Sequence, residues 1–250
     1  NVNKIVIENS NNQELKINLE QKYQNLKCFV MSDNVGYGKA NNYGINKAQS
    51  DYIFILNPDT LLLENTLNDL FEALRGEDFS IAAPIDSNEK FKYKFNNKGL
   101  AEVDFVKGFA IIINKKKMFN QFFDENFFLY LEEIDLCRNV KNKNGRIIIV
   151  NTPVKHLGGL SHGNRYDLEM EKSRNWHWMW STFYYNKKHN GYLYGLVKTL
   201  PNFFSSFLKF LIFKLIKKNS KETIYKMRIL GLLNSYRLKK SSYRPYNKIK

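Results

Sequence analysis

Tyr52-Ile53-Phe54-Ile55-Leu56-Asn57-Pro58-Asp59-Thr60 is an unbroken apolar run followed at once by a polar turn. A run this short, without alternation, reads as a strand buried on both faces, as in a parallel sheet covered by helices. Pro58 fixes one backbone dihedral of the turn. Asp59 then stands at the carboxyl end of the strand, where open α/β sheets hold their ligands. One carboxylate in that place can hold a divalent cation when a diphosphate supplies further oxygens. An Asx-type turn that merely caps the next helix gives the same sequence.

The pattern around this strand alternates. Residues 4–7 and 26–31 read as strands and residues 13–22 and 39–48 as helices. A further helix, capped by Thr60 or Asn65, runs to about Leu74. Strand alternating with helix predicts an α/β fold with a mostly parallel sheet flanked by helices. Further on, residues 91–95 and 103–106 look like hairpin strands and residues 110–113 like another strand. Residues 131–143 then read as a helix and residues 146–150 as a strand. After His162 the pattern is helical to the end. This predicts two parts, a catalytic domain over 1–165 and a helical basic extension over 166–250.

Three more segments carry candidate chemistry. Asn34-Val35-Gly36-Tyr37-Gly38-Lys39-Ala40-Asn41-Asn42 is a glycine loop that opens a helix. Its backbone N–H groups and Lys39 suit an anion, although the pattern is neither a Walker loop nor a dinucleotide fingerprint. Phe122-Phe123-Asp124-Glu125-Asn126-Phe127-Phe128-Leu129-Tyr130-Leu131-Glu132-Glu133-Ile134-Asp135 sets acids among aromatic side chains. On a helix Glu132 and Asp135 share a face, with Glu133 rotated by about 100°. Acids against apolar surface gain raised pKa values, as a general base requires; dipole-favoured acids at a helix start give the same string. His156-Leu157-Gly158-Gly159-Leu160-Ser161-His162 offers two imidazoles, either metal ligands or structural groups.

Taken together and in this order, these four segments resemble glycosyltransferase family 2, of the GT-A fold, and most closely its bacterial rhamnosyltransferase-like branch. The resemblance runs over roughly residues 4–190 and implies a metal-dependent, inverting transfer of a sugar, rhamnose being one candidate. The donor would be a nucleotide sugar and the acceptor a lipid-linked or growing cell-surface glycan. Asp59 matches the family's metal-holding aspartate, and His156 a histidine that completes the Mg²⁺ or Mn²⁺ site. Glu8, Asn34, Lys39, Asn42 and Asn57 fall at nucleotide-sugar positions. Glu133 matches the base, with Glu132 its alternative because Asp is usual at position 133. Gly108 and Asp135 fall on the acceptor side. The family's sheet begins with an apolar strand that this sequence lacks before Asn1, so a fragment without that first strand is expected.

Charge separates the chain into two parts. The total is +15, yet residues 193–250 hold 14 Lys/Arg against one acid, Glu222. Residues 1–192 are close to neutral, with 25 basic and 23 acidic residues. A near-neutral body argues against a surface built to grip nucleic acid, and no nucleic-acid partner is expected. Phe204, Leu208, Leu211, Ile212 and Leu215 share one helical face with lysines beside it, which fits a helix lying in an anionic membrane surface. The apolar run 203–216, broken by Lys209 and Lys214, falls short of a spanning helix. With no signal peptide in view, the expected place is peripheral, on the cytoplasmic face of a bacterial inner membrane. Two rivals stand beside this reading. One is a nucleic-acid binder with a basic arm and stacking Trp176, Trp178 and Trp180. The other is a non-catalytic transferase-like scaffold.

Overall fold

The computed structural model describes residues 2–88, 93–158 and 167–244. The expected boundary near residue 165, residues 91 and 92 of the expected hairpin, and the Gly159-Leu160-Ser161-His162 end of the histidine motif lie outside the described residues. Two compact units form. One runs to Asp124 and resumes at Glu133; the other joins Glu125–Glu132 to the helical C-terminal part.

The first unit contains β1 (Lys4–Glu8), α1 (Gln13–Lys22), β2 (Leu26–Val30), α2 (Tyr37–Lys47), β3 (Tyr52–Leu56), β4 (Thr60–Leu62) and α3 (Thr66–Leu74). It continues with β5 (Ile81–Asp86), β6 (Leu100–Glu102), β7 (Ala110–Asn114), most of α4 (Glu132–Asn142) and β8 (Ile147–His156). Local chemistry explains the boundaries. The Asn12 side chain caps α1 by accepting from Leu15 N at 2.9 Å. Asn65, at φ 64°, turns the chain into α3, while Thr60, the other expected cap, starts β4 instead.

β1 and β2 pair in parallel, and the other six strands form one sheet in the order β3-β7-β5-β8-β4, with β6 also on β8. That sheet is mixed and not mostly parallel: only β5 and β8 run parallel, and the remaining pairings are antiparallel. The connection from β5 to β7 contains no helical crossover among the described residues, and β7 lies antiparallel between β3 and β5.

Alternation along the strands divides the core. Ile53, Ile55, Ile81, Ala83, Ile111, Ile113, Ile147 and Ile149 face Ile45 of α2 and Leu136, Cys137 and Val140 of α4. Phe54, Ala82, Ile112, Ile148 and Val150 face Leu70 and Leu74 of α3 and the Phe79 ring. The sheet is thus covered on both faces, as an unalternated apolar run requires.

The second unit holds α5 (Asp167–Asn190), α6 (Tyr192–Leu215) and α7 (Asn219–Tyr236). Trp176, Trp180 and Met227 form one cluster between α5 and α7, and Met179, Phe183 and Leu232 another. Pro201 is taken up inside α6, so the helix gains Tyr192–Leu200 ahead of the apolar run. As a result α6 is long and apolar enough to cross a membrane, which corrects the expectation that the segment falls short.

Candidate active site

The short strand β4 builds the centre of the site. It pairs antiparallel with the end of β8, setting Thr60 opposite His156. Leu157 N donates to Asp59 O at 2.9 Å, and Asn57 N donates to Phe109 O at 2.8 Å. The Phe109 ring stacks flat on the His156 imidazole, with centroids 4.6 Å apart. These contacts hold His156 Nε2 3.4 Å from Asp59 Oδ1. Asp59 Oδ1 is buried and accepts no hydrogen bond. A buried carboxylate oxygen left without a donor is costly unless something else meets it. A divalent cation would meet it, and Asp59 and His156 are the side chains placed to hold one. Among the described residues no cluster of three or more His, Cys, Asp or Glu offers a closed metal cage.

The glycine loop sits at the carboxyl ends of β1 and β2. Asn9, at the carboxyl end of β1, ties it down. Its Oδ1 accepts from Val35 N at 3.0 Å, and its Nδ2 donates to Asn34 Oδ1 at 3.2 Å. Asn34 Oδ1 also accepts from Gly36 N at 3.0 Å. Gly36 needs its φ of 89° to open α2, a conformation free of strain only for glycine. Asn42 spends its amide on Phe123, accepting from its N at 3.0 Å and donating to its O at 2.9 Å. Glu8 is buried, and its carboxylate accepts from Ser10 N at 2.8 Å, from the Ser10 hydroxyl and from Asn12 N at 2.6 Å. Glu8 and Asn42 therefore shape loops, whereas Lys39 is exposed.

The acids separate as the helical projection predicts. Glu132 and Asp135 are buried, and Asp135 accepts from Asn139 Nδ2 at 3.1 Å. Its carboxylate has no open face toward an acceptor. Glu133 instead lies beside Gly108: a Cβ added to Gly108 would stand 3.8 Å from Glu133 Cδ and 3.6 Å from the Tyr37 hydroxyl. That hydroxyl donates to Gly108 O, a contact absent from the sequence reading although Tyr37 lies in the glycine loop. Burial pushes the Glu133 carboxyl above its ordinary value, the direction a general base needs. Next to Gly108, a cleft of about 300 Å³ opens between the sheet and the 103–109 segment, lined by Pro84, Tyr93, Val103, Phe105 and Phe109 among others.

The family model "Glycosyl transferase family 2" matches residues 5–137, more than half of the chain. The chain belongs to glycosyl transferase family 2. The family span takes in Glu8, the glycine loop, Asp59, Gly108 and Glu133, and leaves His156 and α5–α7 beyond it. No curated protein matches the chain. Among the solved structures that share its fold are two glycosyltransferases. One is GalNAc-T7 with UDP, GalNAc and Mn²⁺, at TM-score 0.51 and 13% identity, covering 81% of this chain and 51% of that one. The chain thus spans about half the length of that transferase. The other is the mannosyltransferase PcManGT from Pyrobaculum calidifontis, in complex with GDP-Man and Mn²⁺. Its TM-score is 0.55 and its identity 9%, covering 93% of this chain and 77% of that one.

Within the second unit, the segment that leads into Glu132 is gripped by α5. Tyr130 and Leu131 both take left-handed conformations, at φ 73° and 69°. Such backbone costs about 1–3 kcal/mol per residue and persists only where the surroundings hold it. Ser181 Oγ donates to Leu129 O at 2.8 Å, and the Tyr130 ring packs edge-on against Trp178. Phe128 packs against His177, with centroids 4.6 Å apart, and the Arg244 guanidinium lies 3.5 Å from its ring centroid.

Proposed function

We propose that this chain is a metal-dependent, inverting glycosyltransferase that moves a sugar from a nucleotide-sugar donor to a hydroxyl acceptor. The observation that carries the reading is Asp59 Oδ1, buried without a hydrogen bond and 3.4 Å from His156 Nε2. Family membership and the Mn²⁺ complexes of the two similar structures point the same way. A divalent cation held there supplies positive charge that stabilises the leaving diphosphate.

Asp59 and His156 are the residues that would hold such a cation. Asn34 and the 34–38 loop offer backbone donors and a helix start to the nucleotide, with Lys39 as a nearby point charge. Glu133 takes the proton from the acceptor hydroxyl. The freed oxygen attacks the anomeric carbon, and the carbon–oxygen bond to the diphosphate breaks on the opposite side, inverting the centre. Gly108 leaves room beside Glu133 for that hydroxyl. The finer reading is transfer of rhamnose to a lipid-linked or growing surface glycan at the cytoplasmic face of a bacterial inner membrane, supported by the motif resemblance.

Calorimetry with UDP, GDP and dTDP, with and without Mn²⁺, tests the reading. A Mn²⁺-dependent nucleotide affinity is expected, lost in Asp59→Ala and kept in Glu133→Gln, while sugar transfer fails in both. Nucleotide binding that ignores Mn²⁺ and Asp59 alike refutes it.

A further inference from the structure

α6 has two unlike faces. Gly195, Thr199 and Ser206 are buried on one of them. A Cβ on Gly195 would come within 3.0 Å of the Phe183 ring and 3.1 Å of Lys187 N, so α5 lies directly against it. The Thr199 and Tyr236 hydroxyls are 3.0 Å apart, and Arg228 Nε donates to Ser206 Oγ at 3.4 Å, so α7 occupies the same side. The opposite face is an apolar stripe that no described residue covers. Leu193, Val197, Phe204, Leu208, Leu211 and Leu215 follow one another at helical spacing, with Leu193 76%, Phe204 58% and Leu215 82% exposed. An uncovered stripe running the full length of a 24-residue helix is unusual for a surface in water.

Charge indicates what covers it. At about 100° per residue, Lys198 falls on one flank of the stripe and Lys214 on the other, while Lys209 lies further round with its ammonium over the Tyr225 ring of α7. The Lys198 ammonium lies over the Tyr194 ring and the Lys214 ammonium over Phe210, so both stems run along apolar surface while the charges point outward. Lys217, Lys218 and Lys221 follow directly, within a segment of 14 basic residues and one acid. A second copy of this chain would bring the same lysine rows against each other, since an isologous pair meets like with like. Anionic lipid headgroups complement them.

We propose that α6 lies in the plane of an anionic lipid bilayer, its 193–215 stripe in the headgroup–acyl boundary and its lysines on the phosphates. The helix is long enough to cross the bilayer, but its polar face is already packed on α7. A crossing α6 would carry Lys221, Lys226 and Arg228 of α7 toward hydrocarbon, where each charge costs several kcal/mol. An in-plane helix keeps all of them at the water side. This inference goes beyond the transfer reading and stands independently of it, since it concerns α6 alone.

Flotation of the full chain with vesicles of phosphatidylcholine, with and without 30% phosphatidylserine, tests it. Binding is expected to the anionic vesicles and to weaken as salt rises. Phe204→Glu with Leu208→Glu lowers the partition coefficient at least tenfold while circular dichroism and melting stay unchanged, both side chains being exposed. Replacing Lys198 and Lys214 by Gln weakens binding about fivefold per lysine, the equivalent of about 1 kcal/mol each. Environment-sensitive dyes on Leu193→Cys, Phe204→Cys and Leu215→Cys, quenched by brominated lipids, report depth. One shallow depth at all three sites is the expected result. A deep Phe204 between shallow ends means a spanning helix and overturns the proposal. So does a stable dimer in solution that Phe204→Glu with Leu208→Glu dissolves, or binding to single-stranded DNA that is tighter than to anionic vesicles at matched salt and insensitive to those two changes.

Discussion

Gly231 tests whether α5 and α7 are joined as tightly as the structure shows. A Cβ at this position would fall 2.3 Å from Trp176 O, 3.1 Å from Trp176 C and 3.3 Å from its Cα. A carbon and a carbonyl oxygen need roughly 3.2 Å or more, so the helices must part by about 1 Å. Rotamer changes give no escape, because every atom met is main chain. Overpacking of this kind costs about 3 kcal/mol, the upper end of the usual range. Alanine returns about 1 kcal/mol through its higher helix propensity. The net expectation for Gly231→Ala is a loss of about 2 kcal/mol, or about 4–8 °C in melting temperature for a chain of this size. All three tryptophans of the protein, Trp176, Trp178 and Trp180, lie on α5. Tryptophan fluorescence during heating therefore reports this unit selectively. Gly44→Ala is the control: its Cβ would meet only the Ile7 side chain, at 3.2 Å, and leave the tryptophan transition in place. If Gly231→Ala melts at or above the wild type, the close helix contact and the argument built on it are wrong.

Two further expectations concern pH. Burial raises the Glu133 carboxyl above its ordinary 4.5, so in the window above that value the folded chain holds a proton that the unfolded chain has released. Stability then falls as pH rises through that window, and Glu133→Gln removes the fall. Urea titrations should find this variant more stable than wild type at pH 7 and no different at pH 4, even though transfer is lost. His177 behaves oppositely. Burial outweighs the Tyr243 carbonyl at its Nε2 and lowers it from 6.5 to about 4, so the folded state stays neutral while the unfolded state takes up a proton. About 3 kcal/mol of stability is therefore lost as pH drops from 6.5 to about 4. The tryptophan melting transition, followed from pH 7 to 4.5, should shift down in wild type and stay flatter in His177→Phe.

Where side-chain pattern and local chemistry agree, the elements were legible. The residues 52–56 and 13–22 are the strand and helix that their spelling predicts, and the 131–143 helix differs by a residue at each end. β5 was missed because Ala82-Ala83-Pro84 carries little strand preference, yet it is enclosed by β7 and β8, with Pro84 tolerated next to a register shift. The second half of β8 was missed too, although Asn151, Pro153 and Lys155 alternate as exposed residues with buried Thr152 and Val154. That strand half carries His156 to Asp59, so the pairing of the two residues could not be read from their distance along the chain. β6 lies at Leu100–Glu102 and not at the expected 103–106, because Asn96 Oδ1 accepts from Lys98 N and Leu100 N and turns the chain earlier. Of the acids, the helical projection picked out Glu133 as the odd one of three, and only the fold showed Glu8 turned inward on its own loop.

The three-residue ladder between β4 and β8 has a consequence for how the site can vary. Side chains alternate along a strand, so the partner of Thr60 is chosen by counting, not by affinity. Moving β8 by a single position would bring Lys155 or Leu157 to the place of His156. The first puts an ammonium where a cation should bind, and the second removes the donor altogether. Substitution at 156 is a graded change that another metal ligand can repair. A one-residue insertion or deletion between Pro153 and His156, past the register shift in β8, moves the count, and no side-chain replacement elsewhere restores it.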